Sequence, residues 1–143
     1  MNGKLTGKLN RKLIVALSGF GLAMGLATVF LVPSHLEPFF WIIIFLFCAV
    51  VIARKQPDRP FVHGLLTSIL NSVWITAAHV VFFSSYIAHH QQEAAMMARG
   101  AMSPRVMMLA TGPVVGLLSG LILGLLALAA SKLIKTAPAR SPA

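Results

Sequence analysis

The 143-residue chain is 57% hydrophobic and 10% charged, with 12 lysines and arginines against three acids and a net charge of +9. That composition excludes an ordinary soluble domain, and the length excludes several domains. The basic surplus does not point to nucleic acid, because the cations flank apolar segments instead of forming a patch with stacking residues, and the single cysteine, Cys48, excludes an internal disulfide or a CxxC redox pair.

Residues 1–12 form a basic tail carrying Lys4, Lys8, Arg11 and Lys12 around glycine and asparagine, suited to anionic headgroups. Leu13 to Val32 follows without a charge, long enough as a helix to cross a ~30 Å hydrocarbon core. A basic start and an apolar middle also describe a signal peptide, with Gly25-Leu26-Ala27 as a cleavage site. The apolar run continues past that site through Val32, which favours an uncleaved anchor. Within this span Ser18, Gly21, Gly25 and Thr28 recur at three- and four-residue steps, a small-residue face able to receive another helix.

Pro33 to Pro38 is a tight connection, and Phe39 opens a second span, 39–53, with Trp41 in an aromatic-belt position. It ends on Arg54 and Lys55, which must snorkel. Gln56 to Pro60 is a short loop. Phe61 to Ala88, about 42 Å as helix, is the polar span: Gly64, Ser68, Ser72, Thr76 and His79 share one face, with Thr67 and Asn71 beside them. That face must look into the bundle, because an unpartnered amide such as Asn71 is costly in lipid. Two readings stay open for Ser68, Asn71, Ser72 and His79: an interhelical hydrogen bond, typically worth ~0.6 kcal/mol and up to ~2, or a polar patch lining a small cavity.

The segment after His89-His90-Gln91-Gln92-Glu93 is rich in alanine and methionine, and Ala94 to Met102 is expected as a helical extension or an amphipathic turn lying on the outer leaflet. Ser103-Pro104 is a helix start. The last span, 106–134, holds Gly112, Gly116, Gly120 and Gly124 at a constant spacing of four residues. Each glycine costs about 1 kcal/mol against alanine in a helix interior, so the row is placed for close helix approach, and the small face of the first span is its expected partner. Pro113 predicts a kink in that helix. Residues 136–143 are expected to be disordered.

The fold class is therefore an all-α membrane protein, a four-transmembrane-helix bundle over 13–135 with an amphipathic outer segment between helices 3 and 4. Both tails and the Arg54–Pro60 loop carry ten of the cations, and only Arg99 and Arg105 lie on the other side. By the positive-inside rule both termini are cytoplasmic, N-in and C-in.

Phe61-Val62-His63-Gly64, the methionine-rich outer segment ending Met102-Ser103-Pro104, and a glycine-rich last helix closing on Lys132 and Lys135 resemble an uncharacterised bacterial family of small four-helix membrane proteins, a domain of unknown function. The resemblance implies that fold and a bacterial cytoplasmic (inner) membrane. It carries over no activity and no site residue.

Catalytic groups are few. Proton-coupled transport generally uses an ionisable residue inside a span, whereas Glu37, Asp58 and Glu93 fall in loops or at interfaces. Haem ligation needs histidines on facing helices, but His63 and His79 share one span. No nucleophile motif supports a hydrolase, so no enzyme and no cofactor is expected. His79, His89, His90, Met96 and Met97, with Met102, Met107 and Met108, offer imidazoles and thioethers of the kind that suits Cu(I), yet no spacing rule supports a site, and methionine also serves as flexible packing. The expected role is a non-enzymatic assembly or accessory subunit, its glycine-zipper faces docking helices within the chain, in a homo-oligomer or with another membrane protein. The alternative is a small channel, transporter or holin-like pore using the polar face of the third span.

Overall fold

The computed structural model describes residues 7–136. Lys4 and, apart from the helical backbone of Thr136, the tail expected to be disordered lie outside the described residues. Among those residues there are six α-helices and no strand: α1 (Arg11–Phe30), α2 (Glu37–Lys55), α3 (Pro60–Val81), α4 (Phe83–His89), α5 (Gln91–Ala98) and α6 (Pro104–Thr136). Four of them, α1, α2, α3 and α6, are long and apolar enough to cross a membrane.

Local sequence accounts for most of the ends. Asn10 caps α1, its Oδ1 accepting from the Leu13 amide at 3.0 Å. Prolines occupy the first turns of α2 and α3, where a missing donor does no harm. Pro104 opens α6, with the Ser103 carbonyl accepting from the Met107 amide at 3.0 Å. Helix α6 then runs unbroken across Pro113.

The third span is shorter than its apolar run. It ends at Val81, where Phe82 leaves helical geometry at φ −98° and ψ 34°, and the chain restarts as α4. Residues 83–88, expected inside a single long helix, belong to α4, which folds back over the end of the bundle. The Phe82 ring meets Phe30 of α1 edge-on, 5.3 Å between centroids, and pins that corner. The outer segment is likewise a distinct helix, α5, ending at Ala98 before Gly100.

The helix that holds the bundle together is α3, packed between α1 and α6. The glycine row of α6 does not meet α1, as the sequence suggested, but lies along α3: Gly112 on Thr76, Gly116 on Ser72, Gly120 on Leu65 and Gly124 on Phe61. Gly21 and Gly25 of α1 face the opposite side of α3, at Asn71, Ile75 and Ala78. No glycine among the described residues has a positive φ, so these glycines serve by lacking a side chain, not by bending the backbone. Toward α6, α3 contributes Gly64 and Ser72 at the crossings, small partners that let backbones approach, and toward α1 the glycines themselves lie against the α3 main chain at Asn71 and Ile75. Helix α2 leans on α6, and an apolar cluster of Leu13, Leu17, Cys48, Ala49, Ile52, Leu123 and Ala127 joins α1, α2 and α6 at one end.

That end also carries Lys8, Arg11, Lys12, Arg54, Lys55, Arg59, Lys132 and Lys135, and is called the basic end below; α4 and α5 form the cap end. His63, fully buried, ties the basic end together: its Nδ1 donates to the Arg59 carbonyl at 2.8 Å and its Nε2 accepts from the Asn10 amide at 3.0 Å. The bundle is polar inside and apolar outside. Ser18, Thr28, Thr67, Ser68, Asn71 and Ser72 are buried, while Val15, Ile42, Ile43, Leu46, Phe47, Val114, Leu118 and Ile122 are exposed. Water would oppose that arrangement; lipid favours it.

A methyl group on Gly64 would stand 2.8 Å from the Gly124 Cα, whereas one on Gly19 would meet nothing within 4 Å. Gly64→Ala is expected to destabilise the bundle by about 1–3 kcal/mol, and Gly19→Ala to be neutral or stabilising by up to about 1 kcal/mol. Thermal unfolding in detergent, compared across the two variants, measures the difference.

Candidate functional site

The polar residues of α3 are shared between its two neighbours and a space between them. Toward α1, Asn71 Oδ1 accepts from the Gly21 amide at 3.0 Å, His79 Nε2 meets Thr28 Oγ1 at 2.8 Å, and Trp74 Nε1 donates to Ser18 Oγ at 3.2 Å. Toward α6, Ser68 Oγ meets Ser119 Oγ at 2.9 Å. Between α2, α3 and α6 the helices diverge and leave a cavity of about 380 Å³. Ser68, Asn71, Ser72 and His79, the four polar residues singled out in the third span, all line it, with Ile75 and Thr76.

Each wall follows a helical repeat. From α2 come Glu37, Trp41 and Phe45, four residues apart and so on one face. From α6 come Met108, Thr111, Gly112, Val115 and Ser119. Beyond Phe45 and Ser119 the next inward residues of α2 and α6, Cys48, Ala49 and Leu123, belong to the apolar cluster, which closes the cavity toward the basic end. Tyr86 of α4 and Met97 of α5 complete it at the cap end.

Hydrogen-bond accounting shows which groups are free. Ser119 donates its proton to the Val115 carbonyl at 2.6 Å, so Ser68 must donate to Ser119. Ser72 donates to the Ile69 carbonyl, and Thr111 to the Met107 carbonyl. The Ser68, Ser72, Ser119 and Thr111 hydroxyls thus keep acceptor capacity but have committed their protons. Asn71 is different. Its orientation is fixed, because only the carbonyl oxygen can accept from Gly21. The Nδ2 group is therefore turned away from Gly21, and it has no partner although Asn71 is only 2% exposed. A buried amide donor left unpaired costs about 1–3 kcal/mol, and Asn71 is one of the residues that line the cavity.

The cap is held by stacked rings. Tyr86 sits between His79 and His90, with centroids 4.2 Å and 4.4 Å away and planes within 29° and 23°. Thr28 anchors both histidines. Its hydroxyl proton is committed to the Met24 and Gly25 carbonyls, so His79 Nε2 donates to the Thr28 hydroxyl, while His90 Nε2 donates to the Thr28 carbonyl at 2.7 Å. His90 Nδ1 lies 2.7 Å from Ser34 Oγ in the α1–α2 connection. Burial, with Glu93 and Glu37 nearby, pushes the Tyr86 phenol up to about 12, so it remains a neutral donor. Burial raises the Glu93 carboxyl, but the Ser34 hydroxyl, its own backbone amide and His90 outweigh that and hold it below its ordinary value.

The candidate metal ligands do not converge. His90 spends both ring nitrogens on Thr28 and Ser34, His79 spends Nε2 on Thr28, and His89 is exposed with Nδ1 donating to Ser85. Met96 is exposed, whereas Met97 lines the cavity. Among the described residues no group of three or more His, Cys, Asp or Glu side chains could hold a metal ion.

Glu37 was expected in a loop or at an interface. It is the first residue of α2, its carboxylate accepts from Trp41 Nε1 at 3.2 Å, and it lines the cavity. The spacing of Glu37, Trp41 and Phe45 was the available signal. Tyr86, Met108 and Ser119 had none, because their position depends on how α4 and α6 pack. Comparison with protein-family models, with curated proteins and with solved structures finds no match to this chain.

His90→Ala removes both anchors of the cap and one face of the ring stack. Hydrogen exchange is expected to speed up by about tenfold or more across 83–98, with α3 between Gly64 and Asn71 unchanged.

Proposed function

We propose that this chain is a non-enzymatic, multi-pass protein of the bacterial cytoplasmic membrane that holds a small amphiphilic molecule in the cavity between α2, α3 and α6. The observation that carries the reading is the unpaired Asn71 Nδ2, a buried donor in the wall of a largely apolar cavity. Ligand sites in bundles combine apolar walls with a few convergent polar groups, and an acceptor on a bound molecule would satisfy that amide.

The membrane assignment is supported by the four apolar helices and by the apolar exterior around a polar interior. Both termini are assigned to the cytoplasm because the cations gather at the basic end, which leaves the cap on the outer side. The kinship with the small four-helix family of unknown function belongs to the same proposal. The glycine faces of α1 and α6 support folding of one bundle in preference to recruitment of a partner, since both are occupied by α3. A pore within one copy is disfavoured by the apolar cluster beneath the cavity, which offers an ion no polar path.

Reporter domains fused to the two ends are expected to be active only on the cytoplasmic side; a terminus on the outer side would overturn the topology. Cys48 is fully buried and lies below the cavity. With Cys48→Ala as background, Ile75→Cys in the cavity wall is expected to react with N-ethylmaleimide, whereas the native Cys48 does not. An unreactive Ile75→Cys in folded protein would rule out an accessible cavity.

A further inference from the structure

The occupant's charge can be read from the cavity wall. The protein has 12 lysines and arginines and three acids, so a site of average composition would be basic. The wall nevertheless contains no lysine or arginine, and its one formally charged residue is Glu37. Glu37 has no cationic partner among the described residues: its recorded contact is the Trp41 indole, a neutral donor, at 3.2 Å. Beside it stand the Trp41 ring and Tyr86, whose two faces are already covered by His79 and His90, so the open aromatic face next to the carboxylate is that of Trp41. Aromatic faces attract cations through their quadrupole, and a desolvated ammonium gains most where a carboxylate completes the cage. An anionic amphiphile would meet Glu37 with no compensating charge, and a neutral one would leave the carboxylate as it is.

The far end has the opposite requirement. Asn71 Nδ2 can only donate, and the neighbouring Ser68, Ser72 and Thr111 hydroxyls have given their protons to other oxygens. Between the ends the wall is Phe45, Ile75, Met108 and Val115. Glu37 to Phe45 on α2 and Asn71 to His79 on α3 are each eight residues, which sets the length of the site at about 12 Å along the bundle.

Resting on the binding reading above, we infer that the cavity takes an amphiphilic amine. Its ammonium lies at Glu37 against the Trp41 ring, and a carbonyl, ether or hydroxyl oxygen at the other end of an apolar body accepts from Asn71 Nδ2. The amine is either a free molecule or the headgroup of a membrane lipid.

Three probes separate the two ends: the methyl ester of ω-amino-octanoic acid, methyl octanoate, which lacks the amine, and octylamine, which lacks the ester. Calorimetric titration uses the full-length protein in phosphatidylglycerol nanodiscs. The amino ester is expected to bind about tenfold or more tighter than either of the others. Glu37→Gln, which keeps an oxygen for Trp41, is expected to erase its advantage over methyl octanoate; Asn71→Leu should erase its advantage over octylamine. Repeating the titration with phosphatidylethanolamine in the bilayer distinguishes the sources: competition assigns the site to a lipid headgroup amine, and an unchanged affinity to a free amine. Equal binding of amino ester and methyl octanoate to the unaltered protein would overturn the cation while leaving the cavity reading intact. No binding by any probe, together with an unreactive Ile75→Cys, would overturn the cavity reading itself.

Discussion

Gly64 of α3 and Gly124 of α6 meet backbone against backbone, and on the other side of α3 Gly21 of α1 lies against the Asn71 main chain with no room for a methyl group. The geometry of the molecule depends on these approaches. Dispersion acts only at close range and interhelical hydrogen bonds need short axis separations, so both gain where side chains are absent at the crossing. Placing α3 between two glycine-bearing helices satisfies that need twice. It also brings most polar residues of α3 within reach of a partner or of the cavity; the buried Thr67 hydroxyl is the exception, with neither.

The same constraint produces the cavity. Where glycine and serine face each other, α3 and α6 close tightly; α2 carries no glycine and presents Trp41 and Phe45, so it stands off from α3 toward the cap end. At the basic end the small side chains of Cys48, Ala49 and Ala127 let α2 return to contact with α1 and α6. A helix close at one end and held away at the other leaves a wedge, and α4 and α5 roof it. Asn71 sits where the two regimes meet. Its oxygen is spent on the α1 contact and its nitrogen is left without a partner.

His79, Tyr86 and His90 link roof and wall. Neither histidine could be assigned a role from composition, because histidine next to methionine suggests metal as readily as packing. Their ring nitrogens are directed to Thr28 and Ser34, and their faces to Tyr86, an arrangement that fixes the position of α4. Cap and cavity are thus coupled through one aromatic side chain that belongs to both.

The residue pattern by itself determined four long apolar helices, the approximate ends of all but the third, the small-residue faces of α1 and α6, and the inward direction of the polar face of α3. These follow from local rules: hydrocarbon length, the 3.6-residue repeat, and the cost of a polar group in lipid. Which face meets which was settled only in three dimensions, because glycine stripes are interchangeable partners and α1, α3 and α6 all carry small residues. The break at Phe82, the fold-back of α4 and the recruitment of Glu37, Tyr86 and Ser119 to one wall were illegible for a related reason. Each depends on contacts between residues tens of positions apart, and a one-dimensional pattern records what a helix offers without recording what packs against it.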